Sequence, residues 1–433
     1  MRAAVKAILV LVLVLSGCAP AGPLSGEGTF SDGPLPGEEC VLIADDGAWS
    51  WFGGPRALTV GGDITSTFIG WVTSEGDIRV GSYHHDTGSV TSALLHEDFQ
   101  TDDHANPGLV IGEDGRVMAF YSGHRGRWVI YRQTLRPHDL ESWTRERAAG
   151  PFTNDVRGYT YPNPVRLESR GDSVFVFWRG PGYRTEFAAS GDDRHWTPAR
   201  TVIPGEEQRY FVTACDDART VHIAFNDGHP RTVSDNGISY MRLVDGTFER
   251  ADATPIASLT ELPVERDRAD RVYDGDGPAG RSWLWDIAAD PLGRPVIVYA
   301  AFPSEDDHRY RYARWNGDAW ENHDITAAGS WFPTVPEGYN LFEPYYSGGI
   351  CLDHDDPSVV YLSRPVEGVF EIERWWTPDG GVTWESAPVT AGSAMNNVRP
   401  VVPRNSRLGG PSVIWMHGPY ADYMNYGTDL RAR

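Results

Sequence analysis

Seven times along the chain a polar residue opens a short apolar run, a turn with Asp or Gly follows, and a second run ends on another polar residue. The openings are Ser66, His104, Tyr161, Tyr210, Asp286, Tyr346 and Arg399; the endings are His84 and His85, His124, Arg179, His229, Phe302, Arg364 and His417. A single His or Tyr at such a position usually does no more than satisfy a hydrogen bond. Many of them on one face would make a site, and most of the endings are His or Arg in a chain with only 13 His. His, Tyr and Arg without a carboxylate pair suit β-elimination beside a uronic acid. The C5 proton there is weakly acidic until the adjacent carboxylate is neutralised, which is work for Arg. A neutral His or a Tyr can then take that proton, and a Tyr can protonate the departing O4 oxygen. Glycoside hydrolysis usually needs two Asp or Glu flanking the bond, and this set offers only Asp286.

These residues can meet only if the runs that carry them are arranged around one axis. Each unit reads as a β-hairpin with its turn signal: Ser66–His85, His104–His124, Tyr161–Arg179, Tyr210–His229, Asp286–Phe302, Tyr346–Arg364 and Arg399–His417. Further strands such as Arg127–Arg132 and Tyr310–Trp315 lie between them, giving about four strands per unit, the blade of a propeller. Units start roughly 40 to 75 residues apart, near known blade lengths. A β-sandwich would alternate similarly, but seven sequential copies favour radial repetition. The expected fold is therefore an all-β, seven-bladed β-propeller. In it the innermost strand follows the central channel and the next returns, which puts openings and endings on one face. Closing the ring requires a strand from Cys40–Val60 in the same blade as residues near Tyr420–Asp429. Two Asp-box-like turns, Thr377-Pro-Asp379-Gly-Gly381-Val-Thr-Trp384 and the less complete Ser190-Gly-Asp192-Asp-Arg-His-Trp196, are expected to be structural.

Composition agrees with this architecture. With 47 Gly, 31 Pro and 12% aromatic residues, and no long segment of helical period, residues 39–433 read as one large all-β domain. A net charge of −22 excludes non-specific nucleic-acid binding as the main role, because that needs a basic footprint. An anionic substrate would be repelled unless positive groups were concentrated locally. Arg179, Arg364 and Arg399 would supply that positive well.

The N-terminal residues concern location. Met1–Lys6 is basic, and Ala7–Leu15 is an apolar run too short to span a bilayer. Leu15-Ser16-Gly17-Cys18 reads as a lipoprotein cleavage box, so residues 1–18 are expected to be a signal peptide with Cys18 the lipidation site. Residues 19–38 are rich in Gly, Pro and Ser and read as a flexible tether. The protein is then expected outside the cytoplasm, lipid-anchored to the cell envelope, and monomeric. Cys40, Cys215 and Cys351 remain, allowing at most one disulfide. Cys351 and His354 lie three apart with no second such pair nearby. A zinc site takes about four ligands, so no metal site and no cofactor is assigned, and a structural ion is left open.

The ordered set of motifs resembles the BNR-repeat family that includes the ulvan lyases. It comprises Asp102-Asp103-His104-Ala-Asn106-Pro107, Phe120-Tyr121-Ser122-Gly123-His124, Tyr161-Pro162-Asn163-Pro164 and Phe177-Trp178-Arg179-Gly180. Asn226-Asp227-Gly228-His229-Pro230-Arg231, Tyr345-Tyr346-Ser347-Gly348-Gly349 and Asn397-Val-Arg399-Pro400 continue it. The resemblance implies a seven-bladed propeller and a polysaccharide lyase acting on an ulvan-like, sulfated rhamnose–glucuronate polymer. It implies acid/base roles for His104 and Tyr161, carboxylate neutralisation by Arg179, and substrate binding by His124 and Tyr210. His229, Tyr346, Arg364 and Arg399 are the remaining rim residues expected to bind substrate. The same broad family also resembles propeller hydrolases that release rhamnose from glucuronate. Sialidases pair a Tyr nucleophile with three arginines, but their Phe/Tyr-Arg-Ile-Pro element is absent here. A non-catalytic carbohydrate-binding lipoprotein would keep the Arg and aromatic residues without needing His104 or Tyr161.

Overall fold

The inner runs are apolar on both faces and buried throughout, as in Val117–Tyr121 and Pro295–Phe302, and tight turns join successive runs into antiparallel pairs. A computed structural model of the chain describes residues 40–433 apart from 63–64, 172, 206, 217–218 and 334–343. The expected signal peptide with Cys18, and the tether, lie outside the described residues. Among the described residues seven antiparallel blade sheets follow one another around a central channel, six of four strands and one of six, with a separate two-stranded sheet of Tyr420–Asp422 and Asn425–Tyr426. Their inner strands, which number blades one to seven, are Ala57–Val60, Gly108–Ile111, Thr160–Leu167, Phe211–Cys215, Arg281–Ala289, Ile350–Leu352 and Asn397–Val401. This is the expected seven-bladed propeller. Cys40, Cys215 and Cys351 are all free thiols, so the packed sheets hold the fold together.

The ring closes as ring geometry required. Val41–Ala44 pairs antiparallel with Asp429–Ala432, Val41 opposite Ala432, and forms the outer strand of blade seven. The chain then crosses the mouth of the channel before entering blade one. Trp51 stacks on Trp285 of blade five (4.4 Å between centroids, 19° between planes) and donates its indole N–H to the Leu284 carbonyl at 3.1 Å. Phe52 lies 5.5 Å from Tyr161 and 4.7 Å from Tyr210. The segment therefore plugs the channel and floors the face above it.

Two hairpin assignments are corrected. In blade one, Ser66–Val72 and Ile78–His84 are the second and third strands, behind the four-residue inner strand Ala57–Val60. Ser66 and His84 bond each other at 3.2 Å and do not line the axis. The short inner strand carries no polar ending before Gly61, so the longer hairpin behind it dominated the pattern. In blade five the inner strand starts at Arg281, not Asp286. Asp286 sits further along the channel, where its carboxylate accepts from Leu352 N and contacts His354 Nε2, both at 3.1 Å.

Both Asp boxes are structural. Thr377 Oγ1 accepts from Gly381 N at 2.7 Å, and Asp379 accepts from Thr383 N at 2.8 Å. Trp384 then packs edge-on against Tyr312 of blade five, just as Trp196 packs on Phe120 and Tyr131 of blade two. Each box thus fastens its blade to the one before it.

Candidate active site

Asp102 begins a one-turn 3-10 helix, Asp103–Ala105, and its Oδ1 accepts from His104 N at 2.9 Å. Short acidic side chains favour this local capping. The same oxygen accepts from His104 Nδ1 at 2.6 Å, while Oδ2 accepts from His124 Nδ1 at 2.9 Å. A carboxylate can only accept, so both Nδ1 atoms carry hydrogens and both Nε2 atoms point away from Asp102. The two rings stack 4.0 Å apart with 2° between their planes, and Tyr423 closes edge-on over both.

This shared carboxylate sets the two imidazoles apart. Burial disfavours charge on His104, but Asp102 and Asp103 outweigh it and raise its pKa to about 9. Burial and the neighbouring His104 charge push His124 down to about 4. Burial likewise opposes ionisation of Asp102, and the two histidines more than offset it, holding the carboxylate below its ordinary range. Asp103 accepts from Tyr420 Oη at 2.6 Å, pairs with Arg399 and lies 3.0 Å from His104 Nδ1.

Tyr161 arrives from blade three. Its backbone is left-handed at φ +61°, and the pairing of its strand shifts register between Thr160 and Asn163. A non-glycine residue held there stores about 1–3 kcal/mol, a strain concentrated at functional sites. The ring lies 5.2 Å from His104, and its hydroxyl has no hydrogen-bond partner among the described residues. Burial raises its pKa well above the ordinary value, against the opposing pull of Arg179, so it remains a phenol.

Arg179, 1% exposed, sits between Tyr161 and Tyr210, 4.7 Å and 5.1 Å from the ring centroids. Its Nη2 donates to Thr160 Oγ1 at 3.4 Å, yet Nε and Nη1 are buried with no partner. Among the described residues it forms no ion pair. A buried cation with unsatisfied donors costs several kcal/mol unless an anion completes it. With these donors open, the guanidinium can receive an anion.

Blade four adds Tyr210, whose hydroxyl accepts from Gln208, and His229, 5.7 Å from it. Burial, helped by Arg231 and Arg179, lowers His229 to about 3, so it stays neutral. Its Nδ1 accepts from Arg231 N at 3.1 Å, which leaves the hydrogen on Nε2. His104, His124, Tyr161, Arg179, Tyr210 and His229 thus form one continuous cluster. Tyr346 packs edge-on against Trp51 and Trp283 at the border of this cluster.

Two rim arginines are placed differently from expectation. Arg399 is spent internally, pairing with Asp103 and donating to Trp49 O at 2.7 Å and Tyr420 Oη at 2.6 Å. Arg364 is clamped by Glu373 through bonds of 2.7 and 2.8 Å and, among the described residues, bonds to none of the cluster. The rim pattern missed Asp102, Asp103, Trp283 and Tyr423. The pair Asp102-Asp103 directly before His104 was the available signal, because tandem acids beside a His predict a held imidazole. No metal ligand set appears beyond Asp102, His104 and His124 among the described residues, and their Nδ1 atoms are already engaged with the carboxylate.

Three comparisons bear on this geometry. An ulvan lyase, PL25, of Pseudoalteromonas sp. (strain PLSV) is 21% identical over 368 residues, which is 73% of this chain and 70% of that protein. The structure of a PL25 ulvan lyase bound to -[GlcA(1-4)Rha3S]- superposes with a TM-score of 0.66 at 16% identity, over 90% of this chain and 94% of that one. Polysaccharide lyase Uly1 superposes at 0.57 with 12% identity, over 92% and 99%. At these identities the likeness establishes the fold. Residues 66–328, more than half of the chain, match the BNR repeat-containing family, and the chain belongs to that family.

Proposed function

We propose that the protein is a polysaccharide lyase that cleaves a uronate-containing polymer by β-elimination. The observation that carries this reading is the buried Arg179 guanidinium, with two N–H groups awaiting an anion beside Tyr161 and the stacked histidines. The uronate carboxylate completes Arg179 and its charge is neutralised, which acidifies the C5 proton. His104, once it has lost its own Nε2 proton, takes the C5 proton there, and Tyr161, kept a phenol by burial, donates to the departing O4 oxygen. The C4–O4 bond breaks as the C4=C5 double bond forms, so no water enters and no second carboxylate is needed. His124, Tyr210 and His229 line the same cluster and bind the sugar.

The named relatives support an ulvan-like sulfated rhamnose–glucuronate polymer as substrate. The Cys18 lipobox supports an envelope-anchored location outside the cytoplasm, where such polymers are met. Incubation with a panel of uronate polysaccharides tests the activity through ultraviolet absorbance of the new double bond. Reducing ends released without absorbance would make the protein a hydrolase, and binding without cleavage would make it a carbohydrate-binding protein. Cys18→Ser should release the protein from the membrane fraction; unchanged fractionation would remove the anchor.

A further inference from the structure

Beside the cluster, on the rim of blades two and three, lies a surface that the reaction does not use. Two loops meet there: Gly126 and Tyr159 pair backbone to backbone at 2.9 and 2.7 Å, and Thr153 N donates to Arg127 O at 3.1 Å. The loops expose an aromatic pair, Trp128 at 41% and Phe152 at 44%, with centroids 5.0 Å apart. Around it stand Arg125, Arg127 and Arg157, all exposed and without an ion pair among the described residues. In a chain of net charge −22, three exposed guanidiniums against the Asp155 carboxylate, which accepts from Arg157 N at 2.8 Å, leave a local excess of positive charge beside the exposed rings.

The patch is joined to the carboxylate receptor. Arg125 N and Arg179 Nη2 both donate to Thr160 Oγ1, at 3.1 and 3.4 Å. The Tyr183 ring lies between two guanidiniums, 4.7 Å from Arg157 and 5.7 Å from Arg179. Tyr183 thus links the Arg179 site to Arg157 on the rim. Exposed rings offer a stacking platform for sugar faces, and planar guanidiniums match oxyanions in bidentate fashion.

We propose that this strip is an extended subsite that holds a neighbouring sugar through its own anionic substituent, a sulfate or a second carboxylate. Trp128 stacks on the ring, and Arg127 and Arg157 take the oxyanion. The inference rests on the lyase reading for the direction of the chain, but not for the existence of the patch.

The test is affinity electrophoresis through gels containing a sulfated rhamnose–glucuronate polysaccharide or its chemically desulfated form, using the full chain. A Tyr161→Phe background and electrophoresis in the cold keep turnover low during the run. R127Q/R157Q should weaken retardation about tenfold or more, the scale of two or three exposed charge contacts, and should lower its salt sensitivity. W128A should weaken retardation in both gels. If the arginine effect vanishes in the desulfated gel, the bound group is sulfate; if it persists, it is a carboxylate. Retardation equal to the parent in both variants overturns the proposal, as does binding to phosphatidylglycerol vesicles without retardation by polysaccharide. Arginine-dependent retardation by a parent protein that never generates ultraviolet absorbance keeps the subsite and removes the lyase reading.

Discussion

His104 and His124 stack 4.0 Å apart with 2° between their planes, each ring held by its own oxygen of Asp102. Two imidazolium charges at that separation repel by about 4 kcal/mol at an effective dielectric of about 20. The pair therefore holds one extra proton, on His104, near neutrality. With His104 as the base, turnover should rise with pH towards about 9, where its Nε2 becomes vacant. A pH–rate profile flat between about 6 and 9 would transfer the base role to His124.

The same shift makes a stability prediction. Folded His104 keeps its proton up to about 9, against 6.5 when unperturbed. The folded state therefore binds more protons than the unfolded one in that window. The stabilisation is complete below pH 6.5 and lost as pH rises through about 9. Asp102→Asn removes the charge that raises His104, so its melting temperature should depend less on pH across this window. It should also move the pH–rate rise towards acid. Parallel melting curves in the two proteins would show that Asp102 does not set the His104 pKa.

Tyr161→Phe preserves the ring that packs on Phe52 and under Arg179 but removes the proton. Turnover should fall roughly 10²-fold or more with unfolding unchanged. Arg179→Lys keeps a charge but loses the planar fork between Tyr161 and Tyr210, and kcat on uronate polymers should drop by about 10²-fold. A folded Tyr161→Phe protein with near-normal turnover excludes Tyr161 from the chemistry.

Trp51 belongs to the plug and touches Trp283, Trp285 and Tyr346 of two blades. Trp51→Ala should cost about 3–5 kcal/mol of stability, the range for a large buried aromatic. Urea unfolding measures it, and a loss below about 1 kcal/mol would mean that the channel collapses around the gap.

Thr377→Ala serves as the contrasting case. It leaves the Gly381 N–H without its acceptor and should cost about 1–2 kcal/mol. Polysaccharide cleavage should be untouched, since the Asp box fastens blade six to blade five by way of Trp384. Reduced turnover at full stability would contradict that separation.

Much of this architecture was legible because each blade hairpin writes two short apolar runs, a marked turn and polar ends into the sequence. Tyr161 to Arg179 and Tyr210 to His229 coincide with real inner pairs, and their rim residues do meet. Blade one was misread because Ala57–Val60 is short and the hairpin behind it is the more regular. Asp286 was misplaced because a register shift between Leu284 and Asp286 breaks the alternation in blade five. Arg399 and Arg364 looked available because a rim position fixes where a side chain starts, not which carboxylate captures it. Asp103 and Glu373 decide that, and they lie on other segments of the fold. The plug was invisible for a similar reason: Gly47–Arg56 has no period, and only the closed ring gives Trp51 its neighbours.

The ion pair between Asp103 and Arg399 spans 296 residues, and the bond from Tyr420 to the same carboxylate spans 317. A chain emerging during synthesis thus displays His104, Tyr161 and Arg179 while His104 is held only by its neighbour Asp102. Closing so long a loop is entropically slow, and no local contact substitutes for it. Competence arrives in one step, when the last blade is made and its Arg399 and Tyr420 reach back to the second. A truncation that removes them should abolish any polysaccharide cleavage while leaving His104, Tyr161 and Arg179 in the chain.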